Sequence, residues 1–547
     1  MPGPVDAYVS RLKNELRQRG IEDTRIAEEA REHLIDAVED GRQRGLSVDD
    51  AEREAFERFG TPESVAAHIA RERDRTMNRF AATVDTVWRH KWWILAPTVV
   101  TAVVSVVISY YFLPVRYRSE SPTQQPDRID LTLSGESGAP PRIAIPEFLA
   151  LASDVETVAA AKTITQVLSE DLEFEREFYL MPRDSYASIA RAGSIDTIPF
   201  DRWRELGADG VIKGSVKRTG NTFQVEMRLF NVRARDIALG RVYDNVALRN
   251  PRAAAHTISD DIHQTQANLR GVARTKLTFI SDRDNERVVD TVETRNGKEV
   301  YVTDYDGANQ MRVTANRRLN ITPSWSPDGR SIAYSSYTRI QPQIIVSNVY
   351  QGTRETLTDE KTGAYMPVFS PDGSRIAFMS QRDGNPEIYV MNRNGSGVRR
   401  LTNNSAADST PTWSPTGTQI AFTSDRSGSP QIWVMDGEGL NLRRITVGES
   451  WADRATWSPA PFNEIAYAAR SGPGFDVRIY DVATGQTKTI TDGAGTNESP
   501  AFSPNGRHIA FSSSRLGKTQ IFTMARDGRG LRQVTRTGNN TFPNWSN

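Results

Sequence analysis

An aromatic residue followed by serine recurs about every 44 residues: Trp325-Ser326-Pro327, Phe369-Ser370-Pro371, Trp413-Ser414-Pro415, Trp457-Ser458-Pro459, Phe502-Ser503-Pro504 and Trp545-Ser546. No other feature restricts the fold as strongly, because a unit of this size cannot bury its own apolar face and must stack on its neighbours. Four of the markers lead into a turn, Asp328-Gly329, Asp372-Gly373, Thr416-Gly417 or Asn505-Gly506, where glycine suits a hairpin reversal. An apolar run follows, as in Ile332-Ala333-Tyr334, Ile376-Ala377-Phe378, Ile420-Ala421-Phe422, Ile465-Ala466-Tyr467 and Ile509-Ala510-Phe511. A third strand such as Ile388-Tyr389-Val390 comes next, and units end in Leu401-Thr402, Ile445-Thr446, Ile490-Thr491 or Val534-Thr535. Four strands per unit predict propeller blades. The first unit, from Lys276-Leu277-Thr278-Phe279, lacks a preceding aromatic-Ser strand; the last, Phe542-Pro543-Asn544-Trp545-Ser546, has only that strand. Together they are expected to form one blade, closing a C-terminal six-bladed β-propeller over 274–547 by strand exchange between the termini and removing free sheet edges. The Ser-Pro and Asp-Gly pairs read as turn chemistry.

The stretch 142–273 reads as an α/β domain. A β-like run at 142–146, a helix at 155–172, a strand at 178–181 and a helix at 200–206 precede paired strands at 210–217 and 222–232, joined by Arg218-Thr219-Gly220-Asn221. A further strand is expected at 239–246, and Pro251 starts a helix with Ala255, Ile258, Ile262 and Leu269 on one side. There is no phosphate loop and no metal-spaced cluster; His256 and His263, seven apart, read as one solvated face.

From Trp92 to Val115 no residue is charged, and valines dominate the middle. Roughly 24 residues suffice for a helix across a hydrocarbon layer of about 30 Å. Trp88, Trp92 and Trp93 at one end and Tyr110, Tyr111, Phe112 and Tyr117 at the other suit the two interfaces. Arg71, Arg73, Arg75, Arg79, Arg89 and Lys91 precede the span, whereas Arg116, Arg118 and Arg128 follow it, so the N-terminus is expected in the cytoplasm and the later domains outside. The expectation is one transmembrane helix at 92–115 in a single-pass inner-membrane protein, then an extended linker at 116–141. The 547 residues include no cysteine, which excludes disulfides, thiolate metal sites, thiol nucleophiles and a lipid-modified cysteine.

Residues 1–75 carry four helical patterns, a small all-α bundle. Tyr8, Leu12 and Leu16 stop at Gly20; Ile26, Ala30, Leu34 and Val38 form a second stripe. Ser47 with Asp50 starts a third helix through Ala51, Ala55, Phe56 and Phe59, and Thr61-Pro62-Glu63 starts a fourth. The run from Gly45-Leu46-Ser47 through Phe59-Gly60-Thr61-Pro62 to Val65 resembles the permease-prefix or HAAS domain, found beside PadR-like regulators, which implies a docking or signalling role inside the cell. The repeats, with Gly271-Val272-Ala273-Arg274-Thr275-Lys276 leading into them and 143–148, 210–232 and 251–278 before them, resemble the TolB family over 142–547. That resemblance implies an extracytoplasmic protein-binding component of the cell envelope, whose partners are Tol-system membrane proteins and a peptidoglycan-associated lipoprotein. The family carries a cleaved signal peptide, whereas this sequence keeps a helical domain and a span.

Propellers serve as binding platforms, enzyme scaffolds or spacers, and the fold alone does not choose. No Gly-x-Ser-x-Gly elbow occurs, and the six histidines, His33, His68, His90, His256, His263 and His508, are dispersed. Binding without catalysis or cofactor is expected, and zero formal net charge argues against nucleic acid as a partner. The loops before the first strands should converge on one channel mouth and present Asn320, Tyr365, Asp408, Asp453, Glu498 and Asn540. Such a polar, partly acidic mouth suits a basic or mixed peptide, and its carboxylates offer a place for a structural cation. Two functions follow: an envelope scaffold or receptor, or a transmembrane signalling component that couples ring occupancy to a cytoplasmic PadR-like regulator.

Overall fold

The structure, a computed structural model, describes residues 4–19, 31, 34, 38, 47–59, 61–63, 66, 139–189, 193–288, 297–337 and 341–547. The expected transmembrane helix at 92–115, Ile26 and Ala30 of the second helical stripe and the linker up to 138 lie outside the described residues. Among those described, no helix is long and apolar enough to cross a membrane. The chain divides into two compact units, Met1–Arg128 and Ile129–Asn547.

In the first unit, α1 (Pro4–Gln18) buries Tyr8, Leu12 and Leu16 at the expected spacing. α2 (Val48–Phe59) starts as its sequence demands: Ser47 Oγ accepts from the Asp50 N–H at 3.2 Å and donates to the Asp50 carboxylate at 2.7 Å, satisfying a donor of the first turn. Tyr8 stacks on Phe56 with ring centroids 5.4 Å apart, joining α1 to α2.

The second unit opens with six strands, β1 (Arg142–Ala144), β2 (Leu149–Ala150), β3 (Tyr179–Leu180), β4 (Gly210–Thr219), β5 (Thr222–Asn231) and β6 (Asp236–Ala247). They form one sheet in the order β3-β1-β4-β5-β6, with β2 on β4; β1 is parallel to its neighbours and β4 to β6 form an antiparallel meander. Helices α3 (Val155–Glu175) and α5 (Arg252–Ala267) pack on it, with the short α4 (Phe200–Glu205) between them in sequence. Asp154 caps α3 by accepting from the Thr157 N–H at 2.9 Å. Ile164, Leu168 and Leu172 of α3 and Ile258 and Ile262 of α5 share a core with Ile212, Val216 and Val225 of the sheet. β4 must pass close to Phe148: a Cβ at Gly214 would lie 2.1 Å from that ring. The expectation that His256 and His263 form a solvated face is corrected, because both are buried. Helix α5 is covered by more than the sheet: His256 faces α3 and lies edge-on to Tyr305 of the ring, while His263 packs on Phe178.

Six four-stranded sheets follow. Their inner strands are Asn320–Trp325, Ala364–Phe369, Asp408–Trp413, Ala452–Trp457, Asn497–Phe502 and Asn540–Trp545. The last pairs with Lys276–Ser281, and Glu299–Asp304 and Met311–Arg312 complete its sheet. Second strands are covered by neighbouring sheets on both faces, so the Ile-Ala-aromatic runs 332–334, 376–378 and 420–422 are wholly buried. The marker serines have an architectural task. Oγ of Ser326, Ser370, Ser414, Ser458 and Ser503 accepts from the N–H of Ser331, Arg375, Gln419, Glu464 and His508 at 2.9–3.0 Å, tying the inner strand to the second. The threonines that end the units act similarly. Oγ1 of Thr402, Thr446, Thr491 and Thr535 accepts from the N–H of Ile388, Ile432, Val477 and Ile521 at 2.9–3.0 Å, and donates to Glu387, Gln431, Asp476 and Gln520.

Candidate functional site

Each inner strand begins at one end of the central channel and finishes at the other, five of the six at a Ser-Pro turn. Every one shifts register after its second residue. At that bulge Thr322, Met366, Thr410, Arg454, Ser499 and Phe542 take φ values of 47–56°, a region that residues with side chains rarely adopt. In five of the six strands the next residue is proline, which has no N–H to donate and is tolerated because the inner strand is a sheet edge. All six bulge residues line a cavity of about 130 Å³. A second cavity of about 430 Å³ shares Ser324, Val368, Thr412, Thr456 and Asn544 with it and extends to the Ser-Pro turns and Arg270.

The six residues expected at the mouth fall into two groups. Asn320, Asp408 and Asn540 are first in their strands and fully buried. Asn320 Nδ2 donates to the Lys298 carbonyl at 2.8 Å, and Asn540 Nδ2 to Gln520 Oε1 at 2.8 Å. Asp408 accepts from Arg426 Nη2 at 2.7 Å and Asn404 Nδ2 at 2.8 Å, while burial pushes its carboxyl up. Tyr365, Asp453 and Glu498 are second in their strands, partly exposed, one residue before the bulge. The Tyr365 hydroxyl donates to Gln341 Oε1 at 3.0 Å. Asp453 Oδ1 accepts from Thr423 Oγ1 at 2.9 Å and from the Arg454 N–H at 2.6 Å.

Arg454 was not among the expected residues. Its Nη1 donates to Ser499 Oγ at 3.0 Å and lies 3.7 Å from Glu498; its Nε is 3.7 Å from Asp453 Oδ2, and its Cζ is 4.8 Å from the Phe542 ring centroid. The cation between these two acids is thus the chain's own guanidinium. Aligning the units on their aromatic markers exposes it, because the six bulge residues stand three positions before each marker and Arg454 is the only charged residue in that column.

Around the mouth, Arg283, Arg382, Arg426 and Arg515 stiffen the hairpins between second and third strands. Each donates from Nε to Ser281, Ser380, Ser424 or Ser513 Oγ at 2.8–3.1 Å and stacks over an aromatic pair, for example Phe378 and Tyr389 under Arg382.

The α/β domain meets the Ser-Pro end instead. Asp171 of α3 accepts from the Tyr305 hydroxyl at 2.7 Å and lies 2.9 Å from His256 Nδ1. Glu175 accepts from the Val272 N–H at 2.6 Å and from Asn505 Nδ2 at 3.3 Å, and burial pushes its carboxyl up to about 8. Asp260 accepts from the Ala273 N–H at 2.9 Å and Arg274 Nε at 2.8 Å. His508 stacks on Phe174 at 4.2 Å; burial pulls it down to about 4, so the neutral ring donates from Nε2 to the Phe174 carbonyl at 3.1 Å. Every buried acid of this seam is met by donors, as burial of a carboxylate requires.

The TolB beta propeller domain family matches residues 264–547, more than half of the chain; the TolB amino-terminal domain matches 129–237 and the HAAS family 7–68. The Tol-Pal system protein TolB of Desulfosudis oleivorans is 33% identical over 220 residues, 40% of this chain and 48% of that protein. Its namesake from Geobacter sulfurreducens is 36% identical over 206 residues, 37% of this chain and 43% of that protein. The chain thus spans about half the length of the curated relatives it matches. The crystal structure of TolB from Acinetobacter baumannii superposes with a TM-score of 0.63 at 29% identity, covering 75% of this chain and 97% of that one. A six-bladed ring with the buried seam and bulged inner strands described above, matched over more than half of its length, places this chain in the TolB β-propeller family.

Proposed function

We propose that the chain is a non-enzymatic, membrane-anchored envelope scaffold or receptor whose ring binds a protein partner through the mouth bearing Tyr365, Asp453 and Glu498. Asn320, Asp408 and Asn540 brace that mouth from the buried side. The observation that carries this reading is the division of the ring's two ends: the α/β domain is docked at the Ser-Pro end, whereas partly exposed side chains crown the channel at the other. A rigid, concave rim suits a protein surface better than a small substrate. Since the relatives are Tol-Pal system proteins, the partner we favour is a peptidoglycan-associated lipoprotein. Residues 92–115 would anchor the chain in the inner membrane, with the N-terminal unit inside and the ring outside.

The full chain in detergent, titrated with the soluble part of the organism's peptidoglycan-associated lipoprotein, tests this reading. Saturable binding, weakened by Tyr365→Ala at an unchanged thermal midpoint, is expected. Absence of binding, or binding indifferent to Tyr365→Ala and Glu498→Ala, contradicts it. Protection of residues 274–547 from protease in spheroplasts would contradict the orientation.

The HAAS match over 7–68 favours a second reading, in which ring occupancy is relayed to a cytoplasmic PadR-like regulator held by the helical unit. Recovery of such a regulator with residues 1–75, dependent on the ring being present, would support it.

A further inference from the structure

We propose that Arg454 is a built-in substitute for a cationic side chain of the partner: its guanidinium occupies, from within the chain, the place between Asp453 and Glu498 that an arginine or lysine of an entering segment takes when the mouth is filled. This rests on the binding mouth proposed above and adds the partner's chemistry and the residue that must yield.

The occupant specifies the chemistry, because the site already holds a guanidinium. Among the six bulge positions five are uncharged, Thr322, Met366, Thr410, Ser499 and Phe542, so the cation belongs to this one place and not to the channel wall in general. Asp453 is oriented for it. Its Oδ1 is engaged by Thr423 and the Arg454 N–H, which leaves Oδ2 to face a cation. Glu498 closes the pair from the next blade.

The two acids hold the guanidinium only loosely. It lies 3.7 Å from each carboxylate, beyond hydrogen-bond range, so its attraction to them is through space. The three side chains are between a quarter and about a third exposed, where such pairs contribute little to stability. A cation arriving from the mouth can instead make charge-assisted bonds of about 2.7–2.9 Å to the same oxygens. Exchange of one cation for another leaves neither acid unpaired, and the hydrogen bond to Ser499, made by the same Nη1 that faces Glu498, is the contact given up. An acidic segment would meet Asp453 and Glu498 without this exchange, so the arrangement also rejects it.

The test is titration of an acetylated tetra-arginine peptide into the full chain in non-ionic detergent at low salt. Arg454→Met, which keeps an apolar stem over Phe542, is expected to bind the peptide about tenfold more tightly than the unsubstituted chain. Arg454→Lys is expected to bind like the unsubstituted chain. Adding Asp453→Asn and Glu498→Gln to Arg454→Met is expected to abolish the gain. Thermal midpoints verify that the ring is intact in each variant, and Arg454→Gln serves if Arg454→Met unfolds. No gain on removing the guanidinium, or a gain that survives neutralising both acids, overturns the proposal. No binding of the lipoprotein, or binding indifferent to Tyr365→Ala, with this gain intact would remove the proposed function and leave the subsite; lipoprotein binding weakened by Tyr365→Ala without the gain would do the reverse.

Discussion

The Lys276 N–H donates to Ser546 Oγ at 2.8 Å, across 270 positions of sequence. It is the clasp that Ser326, Ser370, Ser414, Ser458 and Ser503 make inside single units, here joining strands from the two ends of the ring. Beside it the Trp545 Nε1–H donates to Thr275 Oγ1 at 2.7 Å. Strand 540–545 therefore supplies the inner edge of a sheet whose other three strands come from the start of the propeller.

Ser546→Ala leaves the Lys276 N–H without its acceptor and is expected to cost about 1–3 kcal/mol. Deleting 540–547 removes a whole strand and bares the edge at 276–281, so a single cooperative transition should be lost and aggregation gained. Urea denaturation followed by tryptophan fluorescence checks both; a truncated chain with an unchanged midpoint would contradict the pairing.

Thr402→Val removes the hydroxyl that meets the Ile388 N–H and the wholly buried Glu387. A loss of about 1–3 kcal/mol is expected. Thr412→Val, on the channel wall, should stay within about 0.5 kcal/mol. Equal midpoints for the two variants would show that the unit-ending threonines are not architectural.

Glu175 makes the seam sensitive to pH. Its folded value of about 8 lies above the ordinary 4.5, so its favourable contribution is complete below about pH 4.5 and is lost as pH rises through 8. Asp260 faces it and adds to the upward shift, whereas Arg507 and Asn505 oppose it. Stability should fall by up to about 1.4 kcal/mol per pH unit across that window. Glu175→Gln keeps an acceptor for the Val272 N–H and should flatten the slope. Denaturation midpoints at several pH values decide, and parallel profiles for both proteins would contradict the assignment.

Tyr305→Phe should cost about 1–3 kcal/mol, because Asp171 is buried and loses one of the donors that tie α3 to the ring. Limited proteolysis in the linker around Val272 is expected to accelerate in this variant; unchanged cleavage would show that the contact does not hold the domains together.

The ring was legible because its cause is local and repeated. The aromatic packs, the serine ties two strands, the Gly turn reverses the chain, and all recur at one period. Strands β4 and β5 were legible from the turn at 218–221. What periodicity could not reach were pairs far apart in sequence, such as Tyr305 with Asp171, 134 positions apart, or Asn505 with Glu175, 330 apart. The buried state of His256 and His263 has the same origin, since only docking of the ring and the sheet covers both sides of their helix. The mouth shows how fine the remaining margin is. Asn320, Asp408 and Asn540 stand five residues before their markers, and Tyr365, Asp453 and Glu498 four. Side chains alternate along a strand, so that single step separates buried from partly exposed.

Site-specific photo-crosslinking in intact cells decides whether the end of the ring away from the α/β domain is the partner-binding end. A crosslinking amino acid would replace Tyr365 or Glu498 at the mouth, and Asp372 or Thr416 at exposed Ser-Pro turns. Capture of one envelope protein from Tyr365 and Glu498, and none from Asp372 or Thr416, is the predicted result. Capture from the turns alone, with the mouth positions silent, would contradict it.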